Sequence, residues 1–166
     1  MLTHSVPLSA SVPAGPGIYG WWFADDAVAE LKIRPEDTAR HGLRAVNRCR
    51  ETGYALLYIG KAQKQTLAER INKWHLRRTT ASTLRVSVAA LRGLRRIARD
   101  RLASPDMEIE LSEWMHKSCR ISWEQSDDAG RAETQAFLEA YTPLNLKGCP
   151  RNDFRRDLLK LRKVAP

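Results

Sequence analysis

The sequence predicts one small α/β layer structure, with strands entering early and helices interspersed among them. Three observations predict it. The β-branched and aromatic run 17–23 (GIYGWWF), the apolar run 54–60 (YALLYIG) and the alternating run 119–123 (CRISW) read as strands. A capping signature at 66–69 and three-to-four-residue apolar spacing further on read as helices. The chain has 166 residues, 43% hydrophobic and 28% charged, enough for one buried core and unlike a disordered polymer.

Taken in order, residues 1–16 are rich in Ser, Pro and Ala and predict an extended lead-in. The first strand follows at 17–23. Residues 24–53 turn acidic and then basic, with helical stretches broken at Pro35 and closed at Gly53. The second strand, 54–60, is closed by Gly60. Thr66-Leu67-Ala68-Glu69 fits a capping box and predicts a helix to about His75, with Leu67, Ile71 and Trp74 as its apolar stripe. Thr79 to Ser82 break that helix and offer a new N-cap. A longer helix is expected over 83–102, apolar at Leu84, Val88, Leu91, Ala98 and Leu102, with Arg92, Arg95, Arg96 and Arg99 as a flanking stripe. A segment containing Trp114-Met115 leads into the strand 119–123. The last elements are a turn at 127–130, a helix at 131–141 that must end before Pro143, and a short basic helix within 151–163. The expected organisation is a lead-in (1–16), a domain (17–147, with 24–53 as an insertion) and a basic C-terminal segment (148–166).

Charge narrows the function. The net charge is +9, but residues 61–101 alone hold twelve Lys and Arg against two Asp and Glu, and residues 147–163 hold seven against two. Positive charge gathered in two segments of an otherwise acidic chain points to a polyanionic partner. Arg77, Arg78, Arg85, Arg92, Arg95, Arg96 and Arg99 are the candidate nucleic-acid contacts. Acidic lipid fits less well, because no strongly apolar face accompanies the charge. No apolar run approaches the roughly 18 residues of a membrane span, and residues 1–15 lack the charged and apolar regions of a signal peptide. Cys49, Cys119 and Cys149 form no CxxC and predict neither disulfides nor zinc; a reducing cytoplasm is the expected home. Markers of P-loop hydrolases, zinc proteases and esterases are missing.

Two charged residues fall on apolar faces. Glu133 lines up with Phe137 and Ala140, and Arg70 lies beside Leu67 and Trp74. A carboxylate so placed needs a cation, either an arginine or a metal ion; a Glu133–Arg70 ion pair and a catalytic role are both open on spacing alone. His75, just past the first helix, could serve as a base or a phosphate donor, whereas His4, His41 and His116 show no metal-ligand spacing.

In order, Gly17-Ile18-Tyr19, then Tyr58-Ile59-Gly60-Lys61-Ala62, then Leu67-x-x-Arg70-Ile71 with His75, then Glu133, then Pro143-Leu144-Asn145 resemble the GIY-YIG nuclease superfamily over about residues 15–147. Ser82-Thr83-Leu84-Arg85, with Ser87, Leu91 and Trp114-Met115, is similar to a bacterial branch of it. The resemblance implies an α/β domain whose small antiparallel sheet, of about three strands, carries both tyrosines and is flanked by helices. It implies a divalent-metal-dependent endonuclease acting on DNA, with one Mg²⁺ or Mn²⁺ held by Glu133. Tyr19, with Tyr58 as second candidate, would act on the attacking water. Lys61 would favour a more acidic tyrosine hydroxyl, Arg70 would contact the scissile phosphate, His75 would assist proton transfer or bind phosphate, and Asn145 would order the site. A tyrosine of ordinary pKa near 10 is a poor base at neutral pH unless cations favour its phenolate; Lys61, Arg70 and the metal would be those cations. The alternative is a DNA- or RNA-binding module of the same fold with little or no turnover. A double-strand cut by a one-site domain would favour a homodimer. Two departures stand out: Tyr19 and Tyr58 are 39 positions apart, and His75 follows Arg70 by five residues where many relatives have four.

Overall fold

A computed structural model describes Leu2 and residues 4–34, 50–51, 53–147 and 151–163. Most of the expected insertion, with Cys49, lies outside the described residues, as does Cys149.

Three long strands form the centre of one antiparallel sheet: β2 (Gly17–Ala24), β4 (Tyr54–Ala62) and β7 (Cys119–Gln125). These are the three strands expected. Two-residue strands, β1 (Val6–Pro7) and β3 (Arg50–Glu51), extend the two edges, giving the order β1–β7–β2–β4–β3. The lead-in is therefore not a detached arm: β1 pairs with β7, and Leu2, Leu8 and Val12 are buried.

Central β2 is buried along seven of its eight residues, which is why it reads as a continuous apolar run rather than an alternation. Tyr19, Trp21 and Phe23 enter the main core with Leu67, Ile71, Leu84, Leu111 and Met115. Ile18 and Trp22, with Leu56 and Ile59, form a smaller cluster beneath Ala132, Ala136 and Phe137. Those three belong to α4 (Ala129–Glu139), which packs on β4 and β2. Near the middle of β4 the register shifts, with Trp21 opposite Tyr58 but Trp22 opposite Leu56. The extra residue, Leu57, turns its carbonyl to the Leu144 N–H at 3.0 Å.

The expected helix 83–102 is a correction. Helix α2 spans only Thr83–Leu91 and is followed by a hairpin of β5 (Arg96–Ala98) and β6 (Arg101–Leu102). Gly93, at φ +70°, stops it. The Gly93 N–H reaches the Ala90 carbonyl and the Leu94 N–H the Ala89 carbonyl, the paired bonds of a Schellman ending. The four arginines consequently do not form a helical stripe. Helix α3 (Pro105–Ser118) has no counterpart among the expected helices, although its signals are in the sequence: Ser104 caps it, Pro105 opens it, Asp106 and Glu108 lie in its first turn, and His116 and Lys117 in its last. Helix α5 (Asp153–Leu161) fulfils the terminal expectation, but it is no appendage, since Phe154 and Leu158 are buried in the main core. The short α1 (Asp25–Glu30) packs against β2.

Candidate active site

Tyr19 and Tyr58 stand on one face of the sheet on neighbouring strands. Tyr19 is opposite Gly60 and Tyr58 opposite Trp21, so the phenols are diagonal neighbours. Gly60 makes this arrangement fit: a Cβ there would lie 2.3 Å from Tyr19 Oη. Gly17 is held to glycine by β7, where a Cβ would lie 2.1 Å from the Glu124 carbonyl oxygen.

The helix after the capping box supplies Arg70 and His75. The box forms as expected, the Thr66 N–H donating to Glu69 Oε2 and the Glu69 N–H to Thr66 Oγ1, each at 3.1 Å. From Glu69 to His75, however, the helix is π-wound, and the Leu76 N–H reaches five residues back to the Ile71 carbonyl. Residues five apart then share a face. Arg70 Nε donates to Tyr19 Oη at 3.3 Å, and His75 Nε2 lies 2.6 Å from the same oxygen. The five-residue spacing is thus absorbed by the winding, a local widening that recurs at functional sites. It also changes the stripe: Leu67 and Ile71 are buried as expected, whereas Trp74 is only half-buried.

His75 is fully buried against three rings, with centroids 5.2 Å from Tyr19, 5.7 Å from Trp21 and 5.8 Å from Tyr58. Its Nδ1 lies 2.8 Å from Ser82 Oγ, the N-cap oxygen that accepts the Arg85 N–H. Burial, and then the charges of Arg70 and Arg85, hold the imidazole well below its usual pKa, so it is neutral at pH 7. In the tautomer with its proton on Nδ1, Nε2 is free to accept the Tyr19 hydroxyl proton.

Burial also decides the tyrosines. It raises Tyr19 well above the ordinary phenol value, with neighbouring Tyr58 and Glu133 raising it further and Arg70 opposing. Tyr58 is raised by burial too, against its contact with Thr83 Oγ1 at 3.4 Å and the charge of Arg70. The expected acidification of the phenol included a bound metal; in the protein alone, desolvation outweighs Arg70. Lys61 is not directed to a phenol. Its Nζ lies 2.9 Å from Glu133 Oε2, so this pair replaces the Glu133–Arg70 bridge considered from sequence. Arg70 instead gives Nη1 to the Ala81 carbonyl at 3.3 Å.

Glu133, on α4, is near enough to both phenols for its charge to raise each of them. Among the described residues no three His, Cys, Asp or Glu side chains gather as a metal cluster. A cation held by Glu133 would therefore have fewer than three such protein ligands among the described residues. That donor set fits a hard ion such as Mg²⁺, which keeps waters and takes further oxygens from a substrate phosphate. Asn145 lies behind the site. Its side chain accepts the Ile59 N–H at 2.8 Å and donates to the Ile59 carbonyl at 2.7 Å, closing the edge of β4 between Tyr58 and Gly60.

Of the seven arginines expected to meet nucleic acid, Arg77, Arg78, Arg95 and Arg99 are exposed. Arg85 is not available. It is fully buried, bridged to Glu108 at 2.6 Å and bonded to Ser112 Oγ and the His75 carbonyl. Arg92 pairs with Glu30 at 3.0 Å and Glu110 at 3.3 Å and lies over the Trp114 ring. Arg96 is half-buried and donates to the carbonyls of Leu161, Arg162 and Arg99. These three hold the fold together. Sequence reasoning misses Ser82 as the partner of His75, although its N-cap position is legible. It also misses Glu108, which the α3 signals would locate, and Arg162, for which spacing offers no signal.

A family model described as the GIY-YIG catalytic domain matches residues 17–164. Comparison with curated proteins found no match, and comparison with solved structures found none either.

Proposed function

Because the chain belongs to the GIY-YIG catalytic-domain family, a family of nuclease type, we propose that it is a divalent-metal-dependent endonuclease hydrolysing phosphodiester bonds in DNA. One observation carries this reading: Arg70 Nε and His75 Nε2 converge on Tyr19 Oη while the Glu133 charge acts on both phenols. A fold retained only for binding has no use for a carboxylate beside phosphates, which it repels.

In this reading water attacks phosphorus as its proton passes to Tyr19 Oη and the phenol's own proton passes to His75 Nε2. The bond from phosphorus to the sugar oxygen breaks, and that oxygen leaves as a hydroxyl by taking a proton from solvent. Arg70 opposes the cost of the phenolate. Arg70 also stabilises charge growing on the phosphate. Glu133 would hold the cation, Mg²⁺ or Mn²⁺, with Lys61 holding the carboxylate before it binds. When bound, that cation supplies charge stabilisation at the phosphate and makes coordinated water more acidic. Tyr58 would orient the water or phosphate beside Tyr19, and Asn145 keeps its strand in place. Arg77, Arg78, Arg95 and Arg99 would contact backbone phosphates without reading sequence.

The Lys61–Glu133 pair favours a second reading, a DNA- or RNA-binding module in which the carboxylate is neutralised rather than loaded with metal. One experiment separates the two. Plasmid and single-stranded DNA are incubated with Mg²⁺ or Mn²⁺ and either wild type or Glu133→Gln. Metal-dependent nicking that the variant loses supports the enzyme; tight binding without nicking by either protein supports the binder.

A further inference from the structure

A groove of about 990 Å³ runs along α5, lined by seven Arg and Lys side chains, one Asp, Asn152, Leu146 and Leu159. Exposed ion pairs engage some of this charge, Arg156 with Asp153 at 3.0 Å and Lys160 with Asp157 at 3.4 Å. Arg99, Arg162 and Lys163, by contrast, have no carboxylate partner among the described residues. Arg162 is the unusual one. Only 4% exposed, it is held by a neutral contact, Nη1 to Ser87 Oγ at 3.3 Å. Burial first, and then the charges of Arg99 and Arg96, push its guanidinium down to about 10. A buried cation among like charges is costly unless an anion meets it.

The position of Arg162 suggests which anion. Ser87 is one helical turn beyond Thr83 on α2, and Ser87 Oγ donates to the Thr83 carbonyl at 3.0 Å. Thr83 Oγ1 lies 3.4 Å from Tyr58 Oη. Arg162, on the floor of the groove, is therefore linked to the second phenol through Ser87, one turn of α2 (about 5.4 Å of rise) and Thr83. Guanidinium forks match phosphate oxygens. An anionic membrane would need a continuous apolar face, whereas α5 turns Phe154 and Leu158 into the core and exposes only Leu159 and Leu161 among charged residues.

We propose that this groove carries the nucleic-acid strand flanking the scissile phosphate, with Arg162 receiving a backbone phosphate and Arg99 and Lys163 the next ones along. The proposal rests on the nucleic-acid reading above and assigns its substrate track. Arg162 is a positioning residue here, since it fixes the strand and touches no reacting atom.

The test is binding of a 20-base-pair duplex, measured by fluorescence anisotropy across a salt series, in chelator so that no cleavage occurs. The double variant Arg99→Ala, Lys163→Ala removes exposed charge without disturbing the core. It is expected to weaken binding about tenfold or more at moderate salt and to reduce the log–log salt slope by about 0.9 for each phosphate no longer neutralised. Arg162→Gln is expected to weaken binding similarly and Arg162→Lys to restore most of it; thermal melts identify a variant that fails to fold, in which case the double variant decides. Tight wild-type binding with an unchanged slope in the double variant would overturn the groove while leaving the nuclease reading standing. No binding by wild type would overturn both. Capture of anionic vesicles by wild type but not by the double variant, with duplex binding unchanged, would overturn the nucleic-acid assignment of the groove.

Discussion

Gly60 and Tyr19 face one another across the β2–β4 ladder, and the phenol ring occupies the volume that a side chain on residue 60 would need. The glycine of the second motif thus serves the tyrosine of the first. Tyr19 Oη has little room to yield, since it is already held by His75 and Arg70.

Gly60→Ala should therefore displace the ring and break its hydrogen bond with His75. Overpacking of this kind costs about 1–3 kcal/mol, which urea unfolding would measure. Nicking activity should fall further than stability accounts for. Wild-type activity in this variant would show that the position of the phenol is unimportant.

Tyr19→Phe removes one oxygen and leaves the ring. Loss of a positioned acid–base group typically costs about 10²–10⁴-fold in rate, so nicking by the folded variant should drop by at least a hundredfold. Binding of duplex in chelator should stay within about twofold. Retained turnover would transfer the proton-accepting role elsewhere, with Tyr58→Phe as the next variant to assay.

Neutral His75 links the site to acid stability. Its folded pKa is depressed, so below pH about 6.5 the unfolded chain binds a proton that the folded protein refuses. Its contribution is present above that pH and is lost as pH falls through it, at up to about 1.4 kcal/mol per pH unit. Chemical denaturation between pH 7 and 5 should show that slope in wild type and a shallower one in His75→Gln. Equal slopes would mean that the imidazole is not held neutral.

Legibility in the sequence follows the range of the interaction. The three long strands can be read because their apolar runs report local burial, and the Thr66–Glu69 box because its bonds span three residues. The expected helix over 83–102 runs too far because Leu84 to Leu102 keeps an apolar period. Gly93, the residue that ends the helix, counts only once its φ is known. Arg85 illustrates the same limit. In the sequence it is one more cation in a basic block, and only its distant partner Glu108 turns it inward. The motif residues Tyr19, Tyr58, Arg70 and His75 can be named through the family resemblance, yet the partners of Lys61 and Glu133 are not legible, because which cation meets which carboxylate depends on strand and helix geometry.

The contrast between Arg85 and Arg95 is measurable. Arg85→Gln leaves Glu108 without its main cation, and breaking a buried pair of this sort costs about 3–5 kcal/mol. Because Glu108 is partly exposed, the lower end of that range is expected, seen as an early urea midpoint. Arg95→Glu alters an exposed side chain and should leave the midpoint unchanged while weakening duplex binding on all sequences alike. A large binding defect in folded Arg85→Gln, or a change of cleavage preference in Arg95→Glu, would reverse these assignments.

The π winding makes a last, sharper demand. It lets two side chains five residues apart meet one oxygen, whereas an α-helix would bring residues four apart onto the same face. Asn72 is exposed and lies within the wound turn. Deleting it shortens the Arg70–His75 separation to four and should let the segment rewind as an α-helix, with both side chains still directed at Tyr19. The deletion variant is therefore expected to fold, to keep activity within about tenfold of wild type and to retain the acid sensitivity of the buried imidazole. The tolerance of about tenfold corresponds to about 1.4 kcal/mol of misplacement at the transition state. Inserting an alanine at the same point makes the separation six, which neither winding accommodates, and should abolish nicking. If the deletion proved as damaging as the insertion, the widened turn would have a role beyond spacing, and its geometry would have to be counted among the parts of the site.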